Sequence, residues 1–87
     1  MIILYTIEFS DTARKDLLKL QKEIQKRIWI ALDRIKFNPK SYVTKIVGID
    51  AYRLRVGDYR IIMDIQHDKL MILIVKVGHR SSIYGSL

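Results

Sequence analysis

Apolar residues along this chain follow two rhythms, and the change of rhythm divides it. From Ile2 to Phe9 ("IILYTIEF") β-branched and aromatic residues crowd together, as they do in a strand. After Ser10 the spacing lengthens. Ala13, Leu17, Leu20, Ile24, Ile28, Ala31 and Ile35 recur three or four positions apart and form one stripe on a helix. Ser10 suits an N-cap, Asp11 adds negative charge where the helix dipole favours it, and Asn38-Pro39 ends the run. One straight helix from Thr12 to Phe37 would span about 40 Å. A compact chain of this length has a radius of gyration of about 12 Å. A break around Leu20 to Lys22 is therefore expected, giving two antiparallel helices.

Lys40 to Asp50 reads as loop, with Gly48 at a turn. The strand rhythm then returns over about Tyr52–Val56, Tyr59–Gln66 and Leu70–Gly78, with Gly57-Asp58 as a two-residue hairpin turn. The order is β-α-α-β-β-β. Strands run together and helices are segregated, so the expected class is α+β: one small domain over residues 1–87, an antiparallel sheet with two helices on one face.

The Gly57-Asp58 turn sets a register. Val56 faces Tyr59, Arg55 faces Arg60, and Leu54 faces Ile61. Alternation then puts Tyr52, Leu54, Val56, Tyr59, Ile61, Met63 and Ile65 under the helices, and Arg53, Arg55 and Arg60 on the other face. For the next hairpin a three-residue loop, His67-Asp68-Lys69, is expected. It sends Met71, Leu73, Val75 and Val77 to the core and sets Lys76 opposite Arg60. The alternative two-residue loop would bury Lys76, which is costly. The preferred register leaves Ile62, Ile72 and Ile74 exposed as an apolar patch on the arginine face.

Composition adds charge to this picture. The 87 residues carry a net charge of +7 and no cysteine, which excludes a disulfide scaffold and a thiolate metal site. Such an excess of Lys and Arg fits a phosphate-rich or acidic partner, or only a lysine-coated surface. No apolar run approaches the ~20 residues of a membrane span. The N-terminal stretch has no basic n-region and meets Glu8 early, so no signal peptide is expected, and the cytoplasm is the expected compartment.

The pairing of Arg55 with Arg60 is the pointed feature. Like charges opposite one another destabilise a sheet. An anion between them would offset the repulsion, and guanidinium forks match phosphate oxygens. Alternatively the two side chains splay into water or meet Asp58 or Asp64.

"AYRLRVGDYRIIMDI" followed by "IVKVGHRSSIY" resembles the RelE family of toxins from toxin–antitoxin systems, ribosome-dependent mRNA endonucleases also called mRNA interferases. The likeness covers the whole chain in element order, and its specific part runs from Tyr52 to Tyr84. The resemblance implies a microbial-ribonuclease-like fold, cleavage of mRNA in the ribosomal A site, and no cofactor. It implies an acidic RelB-type antitoxin as partner, with operator DNA bound only through the toxin–antitoxin complex. By position, the family's basic pair before the turn falls on Arg53 and Arg55. Its next arginine falls on Arg60, its arginine after the last strand on Arg80, and its C-terminal tyrosine on Tyr84. The best-known members carry lysines where this chain has Arg53 and Arg55. The chain ends three residues after Tyr84, so a C-terminal helix is expected to be short or missing.

Cleavage of RNA without a metal requires the 2′-hydroxyl to attack the adjacent phosphorus. Arg53, Arg55, Arg60 and Arg80 would meet the charge that grows on the phosphoryl oxygens. Tyr84 is the base the resemblance implies; it would equally stack on a nucleobase, or only pack the C-terminus. His79 is weighed as the acid or as a phosphate contact. Lys76 extends the basic face as an RNA contact. His67, in a turn, reads as structural, and Glu8 as a solvated charge. Trp29 reads as helix packing or antitoxin contact. The two histidines lack a zinc-ligand spacing, and the four glycines form no phosphate loop. Two rivals stand beside the nuclease: a ParE-type toxin that poisons DNA gyrase, and a non-catalytic basic partner of an antitoxin.

Overall fold

A computed structural model describes residues 3–86. Ile2, where the predicted first strand opens, lies outside the described residues. The elements are β1 (Thr6–Phe9), α1 (Asp11–Leu18), α2 (Lys22–Ile35), a 3₁₀ turn (Pro39–Ser41), β2 (Thr44–Lys45), β3 (Tyr52–Val56), β4 (Tyr59–Gln66), β5 (Met71–His79) and a C-terminal 3₁₀ turn (Ile83–Ser86). They form a five-stranded sheet of order β1-β5-β4-β3-β2. The sheet is mixed: β1 joins β5 in parallel, whereas β2, β3, β4 and β5 pair antiparallel. The α+β class stands, and the parallel edge follows from the α1–α2 crossover between β1 and the hairpins.

Local chemistry explains the helices. Ser10 is the N-cap of α1, its Oγ accepting from the Ala13 N–H at 3.0 Å. The expected break falls between Leu18 and Lys22, where Gln25 Nε2 donates to the freed Leu20 carbonyl at 2.9 Å. Ala13, Leu17, Ile28, Leu32 and Ile35 are buried against Leu54, Ile61, Met63, Ile65, Ile72, Ile74 and Val77 from the sheet. Half-buried Phe9 meets the ring of exposed Trp29 at 5.3 Å. His67 accepts its expected structural part: Tyr5 Oη lies 2.8 Å from its Nδ1.

The first hairpin has the expected register, with Arg55 opposite Arg60 and Val56 opposite Tyr59. Gly57 supplies the positive φ, +58°, that its turn requires. The second hairpin departs from expectation. Its loop holds four residues, so Gln66 pairs with Met71 and Met63 with Ile74. A bulge at Val75 then shifts the pairing, and Ile62 faces Lys76 while Arg60 faces Gly78. Ile72 and Ile74 belong to the core, not to an exposed patch, and Ile62 is only 1% exposed although it lies on the arginine face. Lys76 still avoids the core, because the bulge resets the alternation just before it. Either uniform register would have cost something: one buries Lys76, the other strips Ile72 and Ile74 from the core.

Two residues of the first helical segment hold that bulge. β1 ends at Phe9, so the outer edge of β5 beyond Ile74 has no strand partner. Ser10 fills the gap, its N–H donating to the Ile74 carbonyl at 2.9 Å and its Oγ to the Val75 carbonyl at 2.9 Å. Asp16 Oδ2 accepts the Val77 N–H at 3.1 Å.

Candidate functional site

On the face of the sheet away from the helices, an open cleft of about 620 Å³ is lined by Tyr42, Thr44, Arg53, Arg55, Arg60, Arg80, Ser81 and Tyr84. Four separate segments supply these groups: the β2 flap, the β3–β4 hairpin, the end of β5 and the C-terminal turn. Each segment is held by ordinary backbone chemistry. The Tyr42 N–H donates to the Pro39 carbonyl at 3.1 Å and the Ile46 N–H to the Ala51 carbonyl at 2.9 Å, so the flap lies along β3. The Arg80 N–H donates to the Asp58 carbonyl at 2.8 Å and ties the end of β5 to the hairpin turn. Ile83 packs on Gly78, where a built Cβ would meet its Cδ1 at 2.8 Å, and so seats the turn that carries Tyr84.

The charges are arranged unevenly. Arg60 is half-buried, and its Nη1 donates to the Gly57 and Tyr59 carbonyls, both at 2.9 Å. It thus meets neither Asp58 nor Asp64 but folds back on its own turn. Arg80 takes Asp58 instead, across 3.8 Å, with both side chains exposed, and such a pair is worth little. Arg53 Nη1 donates to Tyr84 Oη at 3.2 Å. Among the described residues Arg55 has no hydrogen bond or ion pair from its side chain. The cleft therefore holds four guanidinium groups against one distant carboxylate, the arrangement that receives a multiply charged oxyanion. Asp64 is occupied elsewhere, accepting from Gln66 Nε2 at 3.0 Å.

Of the residues singled out in the sequence, Arg53, Arg55, Arg60, Arg80 and Tyr84 come together here. Lys76 and His79 do not line the cleft. Lys76 sits opposite Ile62, one step further along the same face. The His79 ring packs edge-on to Tyr59 at 5.5 Å. Its Nδ1 lies 3.1 Å from the Ser81 N–H and 2.8 Å from Ser81 Oγ, which hold the ring against the C-terminal turn. Glu8 lies on β1, at the opposite edge of the sheet from the β2 flap.

A family profile described as the ParE toxin of type II toxin–antitoxin systems (parDE) matches residues 7–84. A RelE-like toxin protein of Escherichia coli is 33% identical over 86 residues, covering 93% of this chain and 90% of the relative. The chain belongs to the RelE/ParE family of type II toxins. The mRNA interferase toxin RelE of Escherichia coli K12 is 26% identical over 86 residues, covering 93% of this chain and 90% of that one. Among solved structures, the RelBE2 toxin–antitoxin complex of Mycobacterium tuberculosis matches with a TM-score of 0.83 at 27% identity, over 90% of this chain and 100% of that one.

Within this RelE-like toxin, sequence reasoning missed three cleft residues: Tyr42, Thr44 and Ser81. Tyr42 is the informative one. It is 48% exposed, and among the described residues its hydroxyl has no hydrogen-bond partner. Its only signal in the sequence is an aromatic residue in a polar loop after Pro39, and nothing in that loop announces that two residues, Thr44 and Lys45, will pair with β3.

Proposed function

We propose that this toxin is a ribosome-dependent endoribonuclease that cuts mRNA in the ribosomal A site and so stops translation. The observation that carries the reading is the convergence of four arginines and a tyrosine on one open cleft. A relative named as an mRNA interferase and a net charge of +7 support it. In this reaction the 2′-oxygen loses its proton to a base and forms a bond to the adjacent phosphorus. The bond from phosphorus to the 5′-oxygen breaks, and that oxygen takes a proton. The products are a 2′,3′-cyclic phosphate and a 5′-hydroxyl. Arg55, Arg60 and Arg80 would hold the phosphoryl oxygens, whose charge grows in the transition state. Arg53 would fix the Tyr84 hydroxyl, which serves as base, and Tyr42 would offer a face for a nucleobase. Lys76, opposite Ile62 on the arginine face, would then touch a flanking phosphate, whereas His79 pairs with Tyr59 on the helix side of the sheet and would stand away from the strand.

The cleft lining holds no carboxylate and no histidine among the described residues. An acid for the leaving 5′-oxygen is therefore sought outside the chain, which is the reason for expecting ribosome dependence. The expected partner in the resting cell is an acidic RelB-type antitoxin that covers or distorts the arginine face, with operator DNA reached only through that complex. Both activities belong in the cytoplasm. Among the described residues no helix is long and apolar enough to cross a membrane.

The matching family profile carries the ParE name, and this favours a second reading: a toxin that acts on DNA gyrase without cutting RNA. Cell-free translation with primer extension on the mRNA separates the two. Cuts at A-site codons, faster on programmed ribosomes than on free RNA, are the expected result. Inhibition of supercoiling with intact mRNA would establish the second reading. Equal cleavage of free and ribosome-bound RNA would remove ribosome dependence alone.

A further inference from the structure

Beside the cleft, on the α2 side of the β3–β4 hairpin, lies a second groove of about 270 Å³, lined by Arg27, Ile30, Ala31, Arg34, Arg55 and Val56. Arg27 and Arg34 stand seven residues apart on α2, hence on one side of the helix and about 10 Å apart along its axis. Ile30 and Ala31 lie between them. Arg27 is exposed, but its guanidinium lies over the hairpin turn, Nη2 3.0 Å from where a Cβ would stand on Gly57. Arg55 lines both this groove and the cleft. No carboxylate lines the groove, and among the described residues none of the three guanidinium groups has a hydrogen bond or ion pair.

Isolated arginines on a helix are ordinarily solvated one by one. Here two of them converge on a third that already belongs to the cleft, around a partly apolar floor. Three unpaired cations in one groove repel each other, and an occupant with regularly spaced negative charge relieves that. A stacked nucleic-acid strand carries one phosphate per about 3.4 Å, so the span from Arg27 to Arg34 covers about three phosphates. Ile30 and Ala31 give the sugars an apolar floor. Continuity through Arg55 selects the same molecule that occupies the cleft, not a separate acidic peptide. We infer that this groove is a phosphate track for the RNA strand as it continues out of the cleft past Arg55. The inference rests on the nuclease reading of the cleft and adds a second site to it.

The test is equilibrium binding of 2′-O-methyl RNA, which cannot be cut by its own 2′-hydroxyl, at two lengths: a tetramer that fits the cleft and a dodecamer that overruns it. The variant is Arg27→Gln with Arg34→Gln, both at exposed helix positions. The control is Lys15→Gln with Lys19→Gln, which removes the same charge from α1 and its C-cap. Thermal melts check that both remain folded. The Arg27/Arg34 variant is expected to bind the dodecamer on the order of tenfold more weakly at 50 mM salt and the tetramer as before. Its salt slope should be shallower by about 1.4, the value for two phosphate contacts on a single strand, so its deficit shrinks about sevenfold by 200 mM. The lysine control should bind both lengths normally. If the control loses as much as the variant, the effect is the general field of the protein and the track is wrong. If the variant binds the dodecamer normally, or loses affinity only for an acidic antitoxin, the track is also wrong while the cleft reading stands. If the unaltered protein binds neither length, the track is wrong, while the nuclease reading is decided separately by cleavage on programmed ribosomes.

Discussion

The two faces of β4 and its neighbours are built on opposite principles. Toward the helices, Ile61 and Met63 are fully buried and Ile65 nearly so, in one cluster with Ile28, Leu32 and Ile35 of α2. Each side chain there gains from its neighbours. On the other face Arg53, Arg55, Arg60 and Arg80 are gathered around a cleft, and Arg55 stands opposite Arg60. Neighbours there repel, and Ile62 and Ile83 are the buried aliphatic side chains outside the main cluster among the described residues. Apolar burial is worth about 1.5–3 kcal/mol per large side chain, whereas a cross-strand pair is worth about 0.2–1 kcal/mol in either direction. The helix face can therefore carry the sheet while the other face holds an arrangement that folding alone would not select.

If this division is right, a change on each face should move one property and spare the other. The largest effect is expected from Ile61→Ala, which opens a cavity in the core. It should cost about 2–5 kcal/mol in denaturant melts, as for other buried Ile→Ala changes. Cleavage per folded molecule should stay near normal, measured at a temperature where the variant is still folded. A large loss of that rate would mean that the two faces are not separable. Next in size is Arg60→Gln, with the opposite signature. It should lower single-turnover cleavage on programmed ribosomes by about 10²–10³, or 2.7–4 kcal/mol, if Arg60 acts like an oxyanion-hole donor. Its stability should change little. Relief of the Arg55 repulsion is offset by loss of the bonds from Arg60 to the Gly57 and Tyr59 carbonyls. A destabilised Arg60→Gln that cuts at the normal rate would make Arg60 a clamp of its turn and nothing more.

Gly78→Ala tests the contact that seats the C-terminal turn against β5. Its new methyl would collide with Ile83 Cδ1, and Ile83 is buried with little room to turn. Overpacking of this kind costs about 1–3 kcal/mol. Because Ile83 seats the turn that carries Tyr84, cleavage should fall more than stability does. Equal, small losses in both would show that the turn adjusts without moving Tyr84.

How much of this was legible depended on what sets each register. The β3–β4 hairpin was readable because two residues, Gly57 and Asp58, fix the pairing locally, and the arginine row followed by alternation alone. The helix cap at Ser10 was readable for the same reason, since it rests on neighbours in sequence, whereas the break before Lys22 followed only from length: one unbroken helix would outrun a compact chain. The β4–β5 pairing was not readable. It depends on Ser10 and Asp16, which lie 65 and 61 positions away from the residues they hold, and no local signal at Val75 declares a bulge. The same limit hid the cleft's Tyr42 and Thr44, which reach it through a two-residue strand with no pattern of its own. The basic groove on α2 was hidden too, since the helical stripe draws attention to the buried side and leaves Arg27 and Arg34 as anonymous surface.

The smallest expected effect bears on that long-range hold. Asp16 accepts the partly buried Val77 N–H at the point where the bulge decides which residues of β5 face the core and which face the cleft. Removing the acceptor with Asp16→Ala leaves that donor unsatisfied, at the lower end of the usual 1–3 kcal/mol because it is only partly buried. Alanine returns up to about 0.7 kcal/mol through better helix propensity in α1. The net loss should be under about 1 kcal/mol. Asp16→Asn, which keeps a side-chain carbonyl, should lose still less. Stability alone would not separate the two variants with certainty, but amide hydrogen exchange at Val77 will. Protection there should drop in Asp16→Ala and persist in Asp16→Asn, with Ile61 and Ile72 unchanged in both. If Val77 is equally protected in all three proteins, the β5 bulge is held by the sheet itself, and the shift that keeps Ile74 in the core and Lys76 out of it has a cause nearer at hand than α1.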